Sequence, residues 1–295
     1  MKAPVVYKYL PPELADQLRH LGLTVRRPVE GPMQGLHKSP HFGSSVEFAE
    51  YREYSPGDPP NLIDWAVFAR SDRYMIRRFR EETNLRAHIL LDTSESLAYR
   101  EFGRLSKMDY ASYLAAALMY ILISQGDSVG LLTFESRLGA TFEPAGSLEG
   151  LRPLLLGLED IRPAGRSHIE HAVHEVAGLL RSRSLVILIS DLLEKPEDIV
   201  RGIWHLHHDG HDVLVLHVMD GGEMSLAIEG SAELRELETG ARMVVEVDEL
   251  REAYGREIHR YLEELRLGCA GCMATYHFVD TRAPVEETLM RIAHA

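Results

Sequence analysis

The chain has 295 residues, of which 45% are hydrophobic and 26% are charged. This is the composition of a globular protein, and the length suffices for a sizeable core without disulfide staples. Asp and Glu number 45 against 32 Lys and Arg, so the net charge is −13. Because a surface of that sign repels phosphate backbones and anionic membranes, the composition argues against nucleic acid as a partner.

The sequence also carries signals about its compartment. Its first residues lack the apolar stretch of a signal peptide. The most apolar run, 114–123, is about half the length that a bilayer crossing needs, so it is interpreted as a buried helix. The two cysteines, Cys269 and Cys272, cannot form a disulfide framework for a chain of this length. We therefore expect a reduced, cytoplasmic protein without membrane insertion.

The first 82 residues differ in texture from the rest and are predicted to form an N-terminal, β-rich arm. Its predicted parts are a helix at 12–23, a Gly/Pro/His-rich segment at 31–40, a strand at 46–54, a Pro/Gly turn at 55–60, an ordered piece at 61–70 and a strand at 74–82. The arginines of that last strand, Arg77, Arg78 and Arg80, are interpreted as a solvated face. The second domain is predicted to span 83–295.

From residue 86 onward, apolar strands and amphipathic helices alternate. The predicted strands are 88–91, 129–134, its hairpin partner 137–142, 185–189, 213–218 and 275–279. The predicted helices are 108–124, 148–158, 169–180, one that opens at Pro196, 248–267 and 285–293. The branched aliphatics of 185–189 indicate a strand buried on both faces. This order predicts an α/β fold with a doubly wound, mostly parallel sheet covered by helices.

Oxygen-bearing side chains follow two of these strands and precede one helix. Asp92, Ser94 and Ser96 form a D-x-S-x-S run after strand 88–91, and Asp191 follows strand 185–189. Between them, Ser167 lies in a loop before the helix 169–180. Because ligands bind beyond the carboxyl ends of strands in an open parallel sheet, these groups are predicted to converge.

The predicted site contains only oxygen ligands, which suit a hard cation such as Mg²⁺ or Mn²⁺. Few charges and several neutral hydroxyls leave such an ion electrophilic, so it can accept a carboxylate from another molecule. The alternative is that Asp92 or Ser94 caps the following helix. The order of the run, the later hydroxyl and the later Asp favours the metal site.

This pattern resembles the metal-ion-dependent adhesion site of von Willebrand factor A domains. That site combines a D-x-S-x-S run with a Thr in a later loop and an Asp at a later strand end. Here Asp92, Ser94 and Ser96 match the run and Asp191 matches the last element. Ser167 stands where Thr is usual, so it keeps the hydroxyl and lacks the methyl group.

A second resemblance lies in the arm. The segments that carry it are Gly35-x-His37-x-Ser39, Glu47-Phe48, Arg52-Glu53-Tyr54-x-Pro56-Gly57-Asp58, Ile63-Asp64-Trp65 and Ala69-Arg70, with Gly210-His211-Asp212-Val213 and Leu237-Glu238-Thr239-Gly240 further on. They resemble the bacterial domain-of-unknown-function family fifty-eight, whose members carry a von Willebrand factor A-like domain. The resemblance implies association with a MoxR-type AAA+ ATPase and a chaperone or maturation role. Many members of that family span membranes, and this sequence resembles the short type without such segments.

The function predicted from these features is that of a metal-dependent protein-binding adaptor and not of an enzyme. Its partner would supply a carboxylate and would be a MoxR-type ATPase or that ATPase's client. The alternative is a metal-dependent phosphohydrolase that uses the same carboxylates. No nucleophile–base pair accompanies the site, and Ser94 replaces the second Asp of a D-x-D start. A structural domain with a vestigial site is the third possibility.

Other polar groups have competing interpretations. Arg52, Asp58, Asp64, Trp65 and Arg70 form either a second functional surface or an internal brace of Arg–Asp pairs, which we favour. Two histidine groups are interpreted as solvated surface: His168, His171 and His174, and His205, His207, His208 and His211. Cys269 and Cys272 have redox spacing, but they are predicted to end a helix before a strand, whereas redox pairs open a helix.

Overall fold

The computed structural model describes residues 7–23, 46–55, 58, 63–81, 85–226, 230–235 and 241–293. These residues belong to two compact units. The smaller unit lies within Arg26–Asn84, and the larger one comprises Met1–Val25 and Leu85–Ala295. The predicted domain boundary after residue 82 stays a prediction.

The first helix, α1 (Pro12–Leu18), belongs to the larger unit and buries Leu14 and Leu18 in its core. It is shorter than predicted. The backbone N–H of Leu21 bonds to the carbonyl of Leu18, and that of Leu23 bonds to the side chain of Gln125. These turn and tertiary hydrogen bonds replace the helical continuation to residue 23.

The smaller unit contains an antiparallel pair and one helix. Strand β1 (Val46–Glu53) pairs with β2 (Met75–Glu81), which confirms the two predicted strands. Between them, α2 (Trp65–Ser71) begins at Asp64, whose carboxylate accepts hydrogen bonds from the N–H groups of Ala66 and Val67. The predicted segment 31–40 and positions 56, 57, 59 and 60 of the predicted turn lie outside the described residues.

The larger unit is built on a sheet of parallel strands with one antiparallel edge strand. Its strands in chain order are β3 (Arg86–Asp92), β4 (Ser128–Phe134), β5 (Leu138–Ala145), β6 (Leu185–Ser190), β7 (Asp212–Met219), β8 (Ser231–Arg235), β9 (Arg242–Glu246) and β10 (Thr275–Asp280). Strands β8 and β9 form a separate hairpin that the sequence analysis missed. The other strands are arranged in the order β10-β7-β6-β3-β4-β5, with β5 antiparallel to β4.

That strand order is the doubly wound one, which starts in the middle and is extended outward in both directions. The pairs β3–β4, β3–β6, β6–β7 and β7–β10 are all parallel. The predicted α/β fold class and the hairpin of 129–134 with 137–142 are confirmed. The direction of extension reverses between β3 and β6, and a crevice at such a point is where these folds bind ligands.

Helices cover both faces of this sheet. They are α3 (Lys107–Ser124), α4 (Leu148–Asp160), α5 (Ile169–Leu179), α6 (Pro196–His208), α7 (Gly221–Ser225), α8 (Val247–Gly271) and α9 (Val285–Ala293). In strand β3, residues 89–91 are all apolar because both faces of the strand are covered. Its Ile89 faces a core shared with α3, whereas Leu90 faces a second core shared with α5 and α6.

Helix α3 is apolar on nearly every side because it is surrounded by protein. It lies on the sheet between α1, α4 and α9, and alanines at positions 115, 116 and 117 permit the close approach. Ser106 caps its start by accepting a hydrogen bond from the N–H of Asp109. Its first residue, Lys107, is fully buried, which the sequence analysis did not anticipate.

Candidate metal centre

The five predicted metal ligands lie together at the point where the sheet reverses direction. Asp92 ends β3, and Asp191 directly follows its neighbour β6. The side chains of all five residues are buried, with exposures of 0% to 6%. These residues are Asp92, Ser94, Ser96, Ser167 and Asp191. The sheet topology therefore brings together the set that the sequence predicted.

Asp92 is the hub of the hydrogen bonds at this site. Its Oδ1 accepts from the backbone N–H of Ser94 at 2.9 Å. Its Oδ2 accepts from the hydroxyls of Ser167 at 3.0 Å and Ser190 at 2.6 Å. The hydroxyls of Ser94 and Ser96 lie 3.1 Å apart. Ser190 was not among the predicted residues, although it directly precedes Asp191.

Two loops are joined by backbone hydrogen bonds that place Ser167 opposite Asp92. The N–H of Glu95 donates to the carbonyl of Gly165, and the N–H of Ala164 donates to that of Thr93. Gly165 has a φ of 71°, a left-handed conformation that glycine adopts without strain. The backbone conformation at this position of the predicted loop thus favours glycine.

The helix-capping alternative does not describe these residues. Ser94 precedes a 3₁₀ turn, Glu95–Ala98, but makes no side-chain capping hydrogen bond to it among the described residues. The long helix α3 is capped by Ser106 instead. The Asp92 carboxylate instead accepts from Ser167 and Ser190, and the Ser94 hydroxyl lies within hydrogen-bond distance of that of Ser96.

The two carboxylate oxygens of Asp191 have different surroundings. Its Oδ2 accepts from the ammonium of Lys107 at 2.7 Å. Its Oδ1 is buried and has no hydrogen-bond partner in the described part of the chain. Lys107 also donates to Oε1 of Glu223 on α7 at 2.5 Å. Lys107 and Glu223 complete the surroundings of the site, and the sequence analysis missed both.

The site carries negative charge that the protein only partly compensates. Burial, together with the nearby charge of Asp191, raises the pKa of Asp92 to about 7. Burial also raises the pKa of Glu223. For Lys107, burial acts to lower the pKa, but the ion pairs with Asp191 and Glu223 raise it overall. An added cation near Asp92 and Asp191 would relieve this imbalance.

The chemistry of these residues fits a hard divalent cation. They offer two carboxylates and neutral hydroxyls, and one carboxylate oxygen is buried without a partner among the described residues. Mg²⁺ and Mn²⁺ take oxygen ligands and keep several waters. Within the described ranges, no three His, Cys, Asp or Glu side chains form a metal-binding group. A metal ion held here would therefore depend on the serine hydroxyls and on water as well as on the two carboxylates.

Comparison with known proteins identifies the family. The model of the family described as "Protein of unknown function DUF58" matches residues 50–264. The chain belongs to the DUF58 family. It is 29% identical over 272 residues to uncharacterized proteins of Mycobacterium tuberculosis and Mycobacterium bovis, with 89% of this chain and 83% of those proteins covered.

Solved structures with some similarity to this DUF58 chain include an aerotolerance-related membrane protein from Bacteroides fragilis. It is 20% identical, with a TM-score of 0.47, and the match covers 71% of this chain and 98% of that one. The protein BatB from Bacteroides thetaiotaomicron is 18% identical, with a TM-score of 0.45 and coverage of 72% and 100%. Because these scores are low, the fold assignment rests on the strand order of the DUF58 chain itself. None of its described helices is long and apolar enough to cross a membrane.

The predicted second surface lies in the smaller unit, and most of its polar groups have internal partners. Arg52 donates to both carboxylate oxygens of Asp58, at 2.7 and 2.8 Å. Asp64 caps α2 and also accepts from the hydroxyl of Tyr51. Trp65 is 59% exposed, and Arg70 is exposed as well. The contacts of Arg52 and Asp58 are those of an internal brace. The face predicted for Arg77, Arg78 and Arg80 concerns side chains that the structure does not describe.

The histidine groups are mostly at the surface, with one exception. His168, His171, His174, His207 and His208 are exposed and His205 is half-buried. His211 is buried at 3% exposure and accepts a hydrogen bond from the backbone of Ser184. The prediction of solvated surface is therefore wrong for His211, because it lies where the chain returns from α6 into β7.

The cysteines lie where the sequence placed them, at the end of a helix before a strand. Cys269 is in the last turn of α8, Cys272 directly follows it, and both are buried free thiols. Burial, with the neighbouring Cys272, raises the pKa of Cys269 to about 12. A thiol with so high a pKa is a poor nucleophile.

Proposed function

We propose that this DUF58 protein is a metal-dependent protein-binding adaptor. Its ion, Mg²⁺ or Mn²⁺, would be held by the five predicted ligands, with water completing the coordination shell. The observation that carries the proposal is the buried Oδ1 of Asp191. In the described part of the chain this oxygen has no hydrogen-bond partner, and it belongs to a carboxylate whose charge acts on the buried Asp92. A buried polar atom of this kind calls for a ligand.

The ion would bind a partner through a carboxylate that the partner supplies. Ser96 and Ser167 keep exposures of 4% and 6%, whereas Asp92, Ser94 and Asp191 have none. The partner's carboxylate therefore has to approach from the side of Ser96 and Ser167. Serine ligands bring no charge, so the ion keeps its attraction for an external anion.

A groove beside the site supports this direction of approach. It has a volume of about 540 Å³ and lies between α5 and α6. Its lining includes His168, the neighbour of Ser167, and Glu194, which accepts a hydrogen bond from the first N–H of α5. We infer that the segment that flanks the partner's carboxylate lies in this groove.

The partner in this proposal is a MoxR-type AAA+ ATPase or a client of that ATPase. The resemblance to the DUF58 family motivates this choice. The adaptor would then act in protein maturation or chaperone-like assembly. Such a role requires reversible binding, and a single metal-bridged carboxylate at a small opening suits it.

A metal titration tests the site. We expect Mg²⁺ or Mn²⁺ to raise the melting temperature of the wild-type protein, because ligands that bind the native state stabilise it. Asp191→Asn should abolish the increase. Asp212→Asn is the matched control, since Asp212 lies at the opposite end of the strands in a pair with Arg183. An equal shift in wild type and Asp191→Asn would remove the metal assignment.

A binding experiment tests the adaptor role. A co-expressed MoxR-type ATPase should be recovered with the wild-type chain in Mg²⁺, and a chelator or Asp191→Asn should release it. Recovery that is indifferent to both changes would contradict metal-bridged binding. The same preparations distinguish the phosphohydrolase alternative. Turnover of phosphate esters that Asp191→Asn removes would favour that alternative over the adaptor.

A further inference from the structure

Lys107 is buried in a place where the fold itself has little need of a positive charge. It is the first residue of α3 and has 0% exposure. The start of a helix carries a partial positive charge, which disfavours a cation there. The cap of this helix is supplied by Ser106, and the ring of Tyr99 lies 5.7 Å from the ammonium. The reason for this lysine must therefore be found among its ionic partners.

Those partners belong to the candidate metal centre and to its surroundings. The ammonium lies 2.7 Å from Oδ2 of Asp191, a predicted ligand, and 2.5 Å from Oε1 of Glu223. Glu223 is held from two sides: its Oε2 accepts from the N–H of Asp220, and its carbonyl accepts from the hydroxyl of Tyr254. Lys107 is thus placed between a carboxylate that is fixed by α7 and one that faces the site.

A metal ion and this ammonium compete for the negative charge of Asp191. Both are cations that the same carboxylate attracts, and in a protein interior like charges a few ångströms apart repel strongly. The ammonium lowers the negative potential that an arriving ion meets. Glu223 acts in the other direction, because its own charge offsets part of the lysine's charge.

We propose that Lys107 is a built-in counter-cation of the metal centre, which keeps the affinity for a divalent ion moderate by competing for Asp191, while Glu223 limits that competition. This inference rests on the proposed function, since it assumes that the ion binds at Asp92 and Asp191. A moderate affinity makes loading of the ion, and with it binding of the partner, reversible. Lys107 would not touch the ion itself; its charge acts on the ion by competing for Asp191.

If Lys107 lowers the affinity for the ion, then removing the ion pair should tighten Mn²⁺ binding, whereas a role of Lys107 in packing alone gives no reason for tighter binding. Glu223→Gln leaves the full lysine charge on Asp191, so Mn²⁺ should bind about tenfold more weakly. The double variant Lys107→Met with Glu223→Gln removes the pair and leaves Asp191 unopposed, so Mn²⁺ should bind about tenfold more tightly. Replacing both members of a buried ion pair by uncharged groups is often tolerated, so the double variant is the safer one to fold.

The measurement is a titration of the full chain with Mn²⁺, with free ion followed by electron paramagnetic resonance. The double variant leaves the net charge unchanged, so its matched control is Arg183→Gln with Asp212→Asn, which removes both members of an exposed ion pair at the opposite end of the strands. This control should leave the affinity unchanged. Circular dichroism checks the fold, and Lys107→Gln with Glu223→Gln substitutes for the Met variant if that one unfolds.

The outcomes separate this inference from the proposed function. Weaker binding in both Glu223→Gln and the double variant would mean that Lys107 only holds Asp191 in place, and the inference would be wrong. If the wild-type protein binds Mn²⁺ and Asp191→Asn does not, the metal site is supported whichever way Lys107 acts. If neither wild type nor the double variant binds Mn²⁺, both the metal site and the inference fail.

Discussion

The hydroxyl of Ser190 donates a 2.6 Å hydrogen bond to Oδ2 of Asp92, from the last residue of one strand to the last residue of its neighbour. The same hydroxyl accepts from the backbone N–H of Leu192. Ser190 thus ties the turn after β6, where Asp191 lies, to the hub of the candidate site. Since all these groups are buried, water cannot replace the bonds without cost.

Ser190→Ala should therefore destabilise the protein. The substitution leaves a buried N–H and a buried carboxylate each with one partner fewer, which costs about 1 to 3 kcal/mol. Urea unfolding measures the change in the free energy of unfolding. Ser112→Ala is the control, because Ser112 is equally buried but its hydroxyl donates only to the sulfur of Met108 among the described residues. Equal effects of the two variants would mean that the contact with Asp92 contributes nothing.

Ser167 is the second serine whose role can be isolated. If its hydroxyl is a ligand, Ser167→Ala should weaken Mn²⁺ binding by about tenfold through loss of one oxygen donor. Ser167→Thr keeps the hydroxyl and should restore binding to near the wild-type value. Isothermal titration calorimetry of the three proteins provides the comparison. Wild-type affinity in the alanine variant would exclude Ser167 from the ligand set.

His88 predicts how stability depends on pH. Burial, and then the nearby charges of Arg86 and His211, lower the pKa of His88 to about 4 in the folded protein. In the unfolded chain its pKa is about 6.5, so the unfolded state takes up a proton first as the pH falls. The contribution of His88 to stability should accordingly decrease as the pH falls from about 6.5 to about 4, whereas Asp92, with its raised pKa, contributes in the opposite direction.

The variant His88→Gln should flatten this part of the pH profile, because glutamine does not titrate. His171→Gln is the control, since the His171 side chain is 52% exposed. Thermal melts at intervals between pH 7.5 and pH 4 give the comparison. Some slope will remain, because burial lowers the pKa of His217 to about 4 as well. An unchanged profile in His88→Gln would contradict the assignment.

The sequence predicted the placement of residues that lie at the ends of parallel strands. Asp92 and Asp191 lie 99 positions apart in the chain, yet each follows an apolar run. Parallel strands end at the same edge, so the pattern alone brings these carboxylates together. The doubly wound sheet was predictable for the same reason, because continuous apolar strands alternate with amphipathic helices.

The sequence was uninformative where a contact depends on tertiary packing. Lys107 reaches Asp191 and Glu223 across 84 and 116 positions, and no local pattern predicts those pairs. Asp220 and Glu223 do carry a local signal, since their spacing is that of a capping box, and the structure shows that box at the start of α7. Strands β8 and β9 were missed because each is only five residues long, too short for its pattern to stand out, although β8 does alternate polar and apolar residues.

Gly165 tests whether the geometry of the loop, and not only its composition, matters for the site. At its φ of 71° an alanine is strained, and an added Cβ would lie 1.9 Å from Oε2 of Glu135. The carboxylate can swing away, but the backbone strain remains and costs about 1 to 2 kcal/mol. Because the carbonyl of Gly165 accepts from the N–H of Glu95, relaxation of the loop should also displace Ser167 from Asp92.

Gly165→Ala should therefore lower both the melting temperature and the affinity for Mn²⁺. Gly210→Ala is the matched control, since Gly210 has a φ of 87° and its added Cβ would meet no described heavy atom within 4 Å. It lies in the turn before β7, so it should lower the melting temperature by a similar amount and leave Mn²⁺ binding unchanged. If the two variants lose Mn²⁺ affinity equally, the effect is one of global stability. If only Gly165→Ala loses it, the loop positions a ligand, because strain is common to both variants and only one of them lies beside Ser167.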